Sequence, residues 1–332
     1  MLKEIEEIKS LDRKILKEKL SAKNEEQEKL FEMARYVRDN GKFGKKVEFR
    51  SVIELSNICR QKCRYCCIGR DNSKTYKLTY DEIFSTIKRL AKRGRRTFLL
   101  QSGESVSQSF IDDIARVCED SVQFCPEIKI ILNLGNLSDE QYLQLKNSGA
   151  KRYLLKFETS NSELHKFCRP TDSFENRLEH IKKLIALGFQ VGTGNIVGLP
   201  KQTTDDLIDD LILTTTLDLS MVSASKFIPN SQTEFRDEPI GDINLTLNYI
   251  ALLRILNPNC LIPSTSSMKT NGIDGQLMGL LAGCNTVTVH DGTPSSKETD
   301  FNIYTKDRFT PQENYCLKII EQAGMTAAPY LL

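Results

Sequence analysis

Gly94-Arg95-Arg96-Thr97-Phe98-Leu99-Leu100-Gln101-Ser102-Gly103-Glu104 shows the fold in one unit. A glycine ends a helix, because glycine takes the left-handed conformation there without strain. A short apolar run follows and stops on polar residues. The same unit recurs from residue 48 onward as strand, loop, amphipathic helix, glycine and next strand. Gly149 precedes Tyr153-Leu154-Leu155, Gly188 precedes Phe189-Gln190-Val191, and Gly283 precedes Val287-Thr288-Val289. Strands alternating with helices argue for a parallel sheet. The strands are expected near 50–55, 97–101, 127–133, 152–157, 190–194, 220–225, 260–263 and 286–290. Eight units over about 280 residues predict an α/β fold, a (β/α)8 TIM-type barrel spanning 47–332. Residues 1–46 are charged and helical in pattern, with apolar stripes at Leu11, Ile15 and Leu20 and at Leu30, Met33, Ala34 and Val37. They predict two helices forming an N-terminal helical cap, the second stopped by Gly41 and Gly44.

The rest of the composition narrows the class. The chain has 332 residues, 39% hydrophobic and 27% charged, which is ordinary globular usage. A net charge of +2 favours neither nucleic acid nor an anionic membrane, so neither is expected as a partner. There is no run of eighteen apolar residues, and the start Met1-Leu2-Lys3-Glu4 is not that of a signal peptide, so a cytoplasmic protein is expected. Ten cysteines in such a chain point to thiols or metal rather than disulfides.

Barrel enzymes carry their chemistry at the C-terminal ends of the strands. The loop after Val52-Ile53-Glu54-Leu55 lands there, and it carries Cys59, Cys63 and Cys66 in a C-x3-C-x2-C run. Three thiolates from one loop leave one iron of a four-iron, four-sulfide cubane open to a further ligand. A zinc ribbon would need a second cysteine pair or histidines, and the nearest histidine is His165. A chance cluster of buried cysteines sits badly with Arg60, Lys62, Arg64 and Arg70 alongside. Cys67 adjoins Cys66 and reads as a bystander.

Other strand ends add polar groups. Gln101, Ser102, Gly103 and Glu104 can receive an ammonium group, or form a capped turn. Lys156 and Glu158 end the fourth strand, where an acid and a base are costly unless they meet a ligand or each other. Arg177 can hold a carboxylate bidentately or lie on a helix surface. Small residues around Thr193, in Gly192-Thr193-Gly194, leave room for a flat ring. Lys226 lies on the sixth strand and His290 ends the eighth, whereas His165 and His180 read as helical. No G-x-S-x-G run supports a serine hydrolase.

The cysteine spacing resembles that of the radical S-adenosylmethionine (SAM) superfamily, and Tyr65 before the last cysteine fits it. The resemblance implies one [4Fe–4S] cluster on Cys59, Cys63 and Cys66, with SAM on the open iron and an electron that splits SAM to a 5′-deoxyadenosyl radical. It implies an electron donor such as ferredoxin or flavodoxin and an oxygen-poor setting. It assigns Tyr65, Gln101, Ser102, Gly103, Glu104, Glu158, Arg177 and Thr193 to SAM. Residues 50–300 resemble more narrowly the family of the [FeFe]-hydrogenase maturase HydE and the methylornithine synthase PylB, related to biotin synthase. The matching stretches include Leu100–Glu104, Arg152–Thr159, Ser173–Leu178, Val197-Gly198-Leu199-Pro200, Phe227-Ile228-Pro229 and Thr293-Pro294-Ser295. The maturase branch is the nearer, which implies a small-molecule or organometallic substrate in a closed cavity. Departures at Lys156-Phe157, Ser225-Lys226 and Asn230–Glu234 concern the substrate, for which Lys156, Lys226 and His290 are candidates. Gly272-Ile273-Asp274-Gly275 leans instead to the methylornithine branch, an amino-acid rearrangement. A carrier of iron–sulfur material without turnover is a further alternative. Tyr304 to Ile320 holds only Cys316, so no second cluster is expected.

Overall fold

The computed structural model describes every residue except 69–74, 271, 295, 298–300 and 302–308. Arg70, Ser295 and residues 304–308, on which the sequence reading drew, lie outside the described residues. The chain opens with α1 (Leu2–Lys9), α2 (Arg13–Leu20) and α3 (Asn24–Asp39), then enters β1 (Lys46–Ser56). It alternates through α4 (Tyr80–Lys92), β2 (Thr97–Ser102), α5 (Gln108–Phe124), β3 (Lys129–Asn133), α6 (Asp139–Asn147) and β4 (Arg152–Leu154). Next come α7 (Ser162–Cys168), α8 (Phe174–Ala186), β5 (Gln190–Val197), α9 (Thr204–Thr215), β6 (Met221–Lys226) and α10 (Ile243–Leu256). An antiparallel pair, β7 (Lys269–Thr270) and β8 (Ile273–Asp274), leads to α11 (Gly275–Leu281), β9 (Thr286–Val289), α12 (Glu313–Gln322) and β10 (Thr326–Ala328).

Strands β1 to β6 pair in sequence order, all parallel, and β9 pairs with β1 on its other side. The ring closes between β6 and β9 through residues 260–263. These form no extended strand; single parallel bridges join Leu261 to Met221 and Pro263 to Thr286. The seventh expected strand is therefore a short linking segment. The fourth is shorter than expected, because the chain leaves the ladder after Leu154 and touches β5 again at a bridge between Glu158 and Asn195. A further strand, β10, pairs with Lys46–Glu48 at the start of β1.

Strand β1 is buried at all but its first residue, as a strand covered on both faces must be. Val52, Leu99, Ile131, Met221 and Leu261 pack together inside the ring. Ile53, Leu100 and Leu132 point outward onto Ile83 and Ile87 of α4 and Phe110 and Ile111 of α5. Thr79, Ser138 and Thr203 open α4, α6 and α9 with reciprocal capping boxes, which satisfy otherwise orphaned amides.

The N-terminal segment holds three helices rather than two. Leu11 takes a left-handed backbone (φ 61°), and the Asp12 carboxylate accepts from the amides of Lys14 and Ile15, so α2 starts afresh. Ile5, Leu16, Leu20 and Leu30 join one apolar cluster with Leu247, Ile250 and Leu253 of α10, on the flank of the barrel. The floor of the barrel is ionic. Buried Glu48 accepts from Arg50 at 2.7 Å and from Arg152 at 2.9 and 3.0 Å. Burial alone would raise the Glu48 carboxyl, but the two guanidinium charges hold it below the usual range. Residues 329–332 cover this floor: Thr97 donates to Pro329 O, Leu331 N–H donates to Glu48, and Arg152 donates to Leu332 O.

Candidate active site

All the sequence-predicted site residues except Thr193 line one cavity of about 330 Å³ at the C-terminal ends of the strands. That volume is within the range of small-molecule sites. Thr193 instead donates its hydroxyl to Leu155 O at 2.8 Å, and it is buried away from the cavity. Its neighbours Gly192 and Gly194 leave no open space either. A Cβ at Gly192 would sit 2.2 Å from Leu154, and one at Gly194 would sit 2.0 Å from Ser223 O. These glycines let β4, β5 and β6 lie close together.

The cysteine loop wraps the cavity mouth. Cys59 Sγ accepts from the backbone amides of Gln61 at 3.4 Å and Glu104 at 3.2 Å. Cys63 Sγ accepts from Arg169 at 3.2 Å, and the same guanidinium reaches the Tyr65 hydroxyl. Cys66 lines the cavity, whereas Cys67 is buried outside it. Burial pushes the Cys59 thiol up and the Cys66 thiol further. Bound iron would reverse this by favouring the thiolates. Three cavity-facing sulfurs on one loop, two of them already accepting N–H bonds, suit a cluster ligated at three irons.

Glu104 is the hub of the second strand's end. Its carboxylate accepts from Arg60 at 2.8 Å, Gln61 at 2.6 Å, the Asn136 amide at 3.0 Å and Arg177 at 3.5 Å. Burial opposes ionisation here, but Arg177 and these donors outweigh it and hold the carboxyl below its ordinary range. Gly135 makes this contact possible. It has φ 81°, and a Cβ there would lie 2.3 Å from Glu104 Cγ. Gly103 serves likewise, since its Cβ would meet Ile58 O at 2.4 Å. Arg177 also pairs with Asp172 at 2.8 Å, and Asp172 pairs with Arg169 at 3.2 Å. Burial would raise the Asp172 carboxyl, yet Arg177 and its other donors hold it well below the carboxylate range. Glu104 is thus held in place by Arg60, Gln61, Asn136 and Arg177.

Glu158 faces the cavity from a left-handed backbone (φ 67°) and lies 3.4 Å from Lys156 Nζ. The turn is fixed from behind. Asp210 accepts from Ser160 N–H and the Ser160 hydroxyl, both at 2.6 Å, and from Asn195 at 2.8 Å. Burial pushes the Asp210 carboxyl up to about 7. Lys156 donates to Ser225 at 3.2 Å, and burial lowers the Lys226 ammonium. Across the ring, His290 Nδ1 lies 3.7 Å from Glu54, whose carboxylate accepts from Thr293. Among the described residues, buried Arg169 Nε and Arg177 Nε have no hydrogen-bond partner, and Glu158 Oε2 has only the ion pair to Lys156. Such groups are what a polar ligand satisfies, so the wall fits SAM.

Sequence reasoning did not single out Arg60, Gln61, Arg169, Asp172, Asn136 or Asp210. Except for Asp172, whose partners Arg169 and Arg177 are near it in sequence, their contacts join loops far apart in sequence. Only the positions of Arg60 and Gln61, inside the cysteine run, offered a signal. His165 is helical as expected and fully buried, neither ring nitrogen has a hydrogen-bond partner among the described residues, and burial lowers its pKa to about 4.

A parallel barrel with a three-cysteine loop opening into its mouth defines an iron–sulfur enzyme of the SAM-cleaving kind, and comparison with known proteins agrees. Residues 53–213 match the Radical SAM superfamily. The chain is 39% identical to the [FeFe] hydrogenase maturase subunit HydE of Thermotoga maritima, over 88% of this chain and 83% of that protein. It is 31% identical to the 3-methylornithine synthase of Methanosarcina barkeri, over 79% of this chain and 74% of that one. The crystal structure of methylornithine synthase (PylB) superposes with a TM-score of 0.82 and 26% identity, covering 98% of this chain and 97% of that one. The chain belongs to the radical SAM superfamily, in the family of the hydrogenase maturase HydE, and is an iron–sulfur, SAM-cleaving enzyme.

Proposed function

We propose that this enzyme serves [FeFe]-hydrogenase maturation in the manner of HydE, acting on a small substrate that carries both an anionic and a cationic group. One observation carries the substrate part. The cavity that takes the cysteines also has buried Lys226 on the β6 side, besides the Lys156–Glu158 pair at the end of β4, and buried Glu54 beside His290 on the β1 and β9 side. Buried charges of opposite sign on facing walls are stabilised by a ligand with the complementary ends. An amino acid, free or bound to iron, has them.

Cys59, Cys63 and Cys66 would hold a single [4Fe–4S] cluster. When bound, cluster and SAM supply one-electron cleavage of a sulfonium C–S bond to a 5′-deoxyadenosyl radical. Glu158 would take the ribose hydroxyls or the amine of SAM, and Arg177, oriented by Glu104 and Asp172, its carboxylate. Tyr65 and the backbone of Gln101–Gly103 would line the methionyl end. Lys226 would hold the substrate anion, which restores the ammonium that burial disfavours. The floor of Glu48, Arg50 and Arg152 keeps bulk water from entering below. The setting is the cytoplasm at low oxygen, with an electron donor such as ferredoxin or flavodoxin.

A second reading has its own support. The likeness to 3-methylornithine synthase and to PylB favours rearrangement of a free amino acid. The test is anaerobic reconstitution with iron and sulfide, then reduction and addition of SAM. About four irons per chain and formation of 5′-deoxyadenosine are expected. The reconstituted enzyme is then added to a hydrogenase maturation mixture lacking HydE, and in parallel to an amino-acid mixture assayed for 3-methylornithine. Restored hydrogenase supports the maturase reading, whereas 3-methylornithine supports the second. Zinc in place of iron would sink both.

A further inference from the structure

Glu158 reaches the cavity from a strained turn, and the group that holds the turn lies outside the cavity. Thr159 N–H donates to Phe157 O at 2.9 Å, so Glu158 is the middle residue of a three-residue turn. Its φ of 67° marks the rare, strained form of such a turn. Strain of this kind persists only where the surroundings over-determine it. Two backbone bonds do part of this. Glu158 N–H donates to Gly194 O and Ile196 N–H donates to Glu158 O, each at 3.0 Å, which sets Glu158 opposite Asn195. The chain that leaves the turn is held by other means.

One carboxylate, that of Asp210 on α9, grips this exit and the β5 wall together. Its Oδ1 accepts from both the amide and the hydroxyl of Ser160, and its Oδ2 accepts from Asn195 Nδ2. Asp210 and Asn195 are fully buried, and neither lines the cavity. Asp210 therefore touches no ligand there, yet it joins the residue two beyond Glu158 to the residue opposite it. Asp206, one turn earlier on the same helix, does not share this task. Its carboxylate accepts from Asn161 and from Thr203, the cap of α9.

We infer that Asp210 is a positioning residue for Glu158: it keeps the turn left-handed and so aims the Glu158 carboxylate into the cavity, at SAM. The inference rests on the assignment of Glu158 to SAM proposed above. A carboxylate that merely anchored α9 to the barrel would do so whatever stood at position 158. One that aims Glu158 is energetically coupled to it, and a double-mutant cycle measures that coupling. The chemistry of the clamp also separates two variants. Asp210→Asn keeps an oxygen for Ser160, and Asn195 Oδ1, which has no hydrogen-bond partner among the described residues, can turn to accept from the new amide. Asp210→Leu leaves no acceptor for either.

The test uses the full-length, cluster-bearing chain, with SAM affinity read by equilibrium dialysis. Asp210→Leu is expected to weaken SAM binding roughly tenfold, and Asp210→Asn by no more than about threefold. In a Glu158→Ala background, where no carboxylate is left to aim, Asp210→Leu should change the affinity by less than about twofold. Equal weakening in the two backgrounds, or no weakening by Asp210→Leu, overturns the inference. A second cycle needs no SAM. Glu158→Gly relieves the turn, and the rise it gives in the urea midpoint should be smaller in the Asp210→Leu chain than in the wild type. An equal shift in both overturns the inference as well. If Asp210→Leu does not fold, Ser160→Ala, which removes one bond of the clamp, is read through the same cycles. It should weaken SAM binding by about threefold beside Glu158 and not at all beside Glu158→Ala, and equal effects overturn the inference. If Glu158→Ala itself leaves SAM affinity unchanged while the midpoint cycle shows coupling, Asp210 holds the turn and the assignment of Glu158 to SAM falls.

Discussion

Glu158 combines a left-handed backbone with a carboxylate whose Oε2, among the described residues, has the Lys156 ion pair and no hydrogen bond. Holding a non-glycine residue there costs on the order of 1–3 kcal/mol, which the surrounding hydrogen bonds must offset. Glu158→Gln is expected to weaken SAM binding by about 1–3 kcal/mol, the cost of losing a charged partner, measured by equilibrium dialysis. Glu158→Gly relieves the backbone and removes the carboxylate, so it should be as stable as the wild type or more so, yet bind SAM no better than Glu158→Gln. Cys59→Ala, Cys63→Ala or Cys66→Ala should each abolish the iron content and visible absorbance, and Cys67→Ala should keep both. Loss of iron in Cys67→Ala would reassign the ligands. That Cys59, Cys63 and Cys66 share one cavity wall was legible in sequence because they sit on a single short loop after β1. Glu158 and Glu104 were legible because strand ends point into a barrel mouth. Arg169 was not, because its partners Cys63 and Tyr65 lie about a hundred residues earlier and no local pattern records such a pairing; Asp172 pairs with its near neighbours Arg169 and Arg177, but nothing in the sequence sets it apart from an ordinary helix-cap aspartate. Thr193 was misplaced because a strand's sequence does not say which of its small residues face a neighbouring strand.

At the scale of elements, α7 and α9 carry two buried titratable groups with opposite effects. His165 of α7 has a folded pKa of about 4, below its unfolded value, so the unfolded chain binds more protons between pH 4 and 6.5. Its contribution is lost as pH falls through that window. Asp210 of α9 has a folded value of about 7, above its unfolded one, so the folded chain binds more protons between about pH 4 and 7. Its contribution is lost as pH rises. The two slopes, each at most about 1.4 kcal/mol per pH unit, offset one another in the wild type. His165→Leu should therefore leave stability falling between pH 4.5 and 7, and Asp210→Asn should leave it rising between pH 4.5 and 6.5. Urea midpoints across that range check both. Parallel slopes in the two variants would mean that neither group titrates as its burial requires. The glycine-punctuated units gave away most strands, since each is an apolar run bounded by turn residues. The segment 260–263 misled because Leu261 and Ile262 are buried like strand residues, while closure there takes only single bridges.

For the whole molecule, the floor is the most exacting part. Glu48→Gln leaves Arg50 and Arg152 buried without a balancing charge and should cost about 3–5 kcal/mol, read as a lower urea midpoint. An unchanged midpoint would mean that water already reaches the floor. The barrel was legible as a whole because every unit repeats one pattern, but the covering of its floor by residues 329–332 was not, since nothing local marks Pro329-Tyr330-Leu331-Leu332 as a cover. Strand β1 is tied to β2, β9 and β10, two of which lie more than two hundred residues away along the chain. Such distant pairings form slowly, and during synthesis they must wait for those residues to leave the ribosome. Until then the cysteine loop hangs from a strand with one flank unpaired. The nascent chain thus has an interval in which its cysteine loop is open to solvent, and a bare strand edge that invites aggregation until those pairings form.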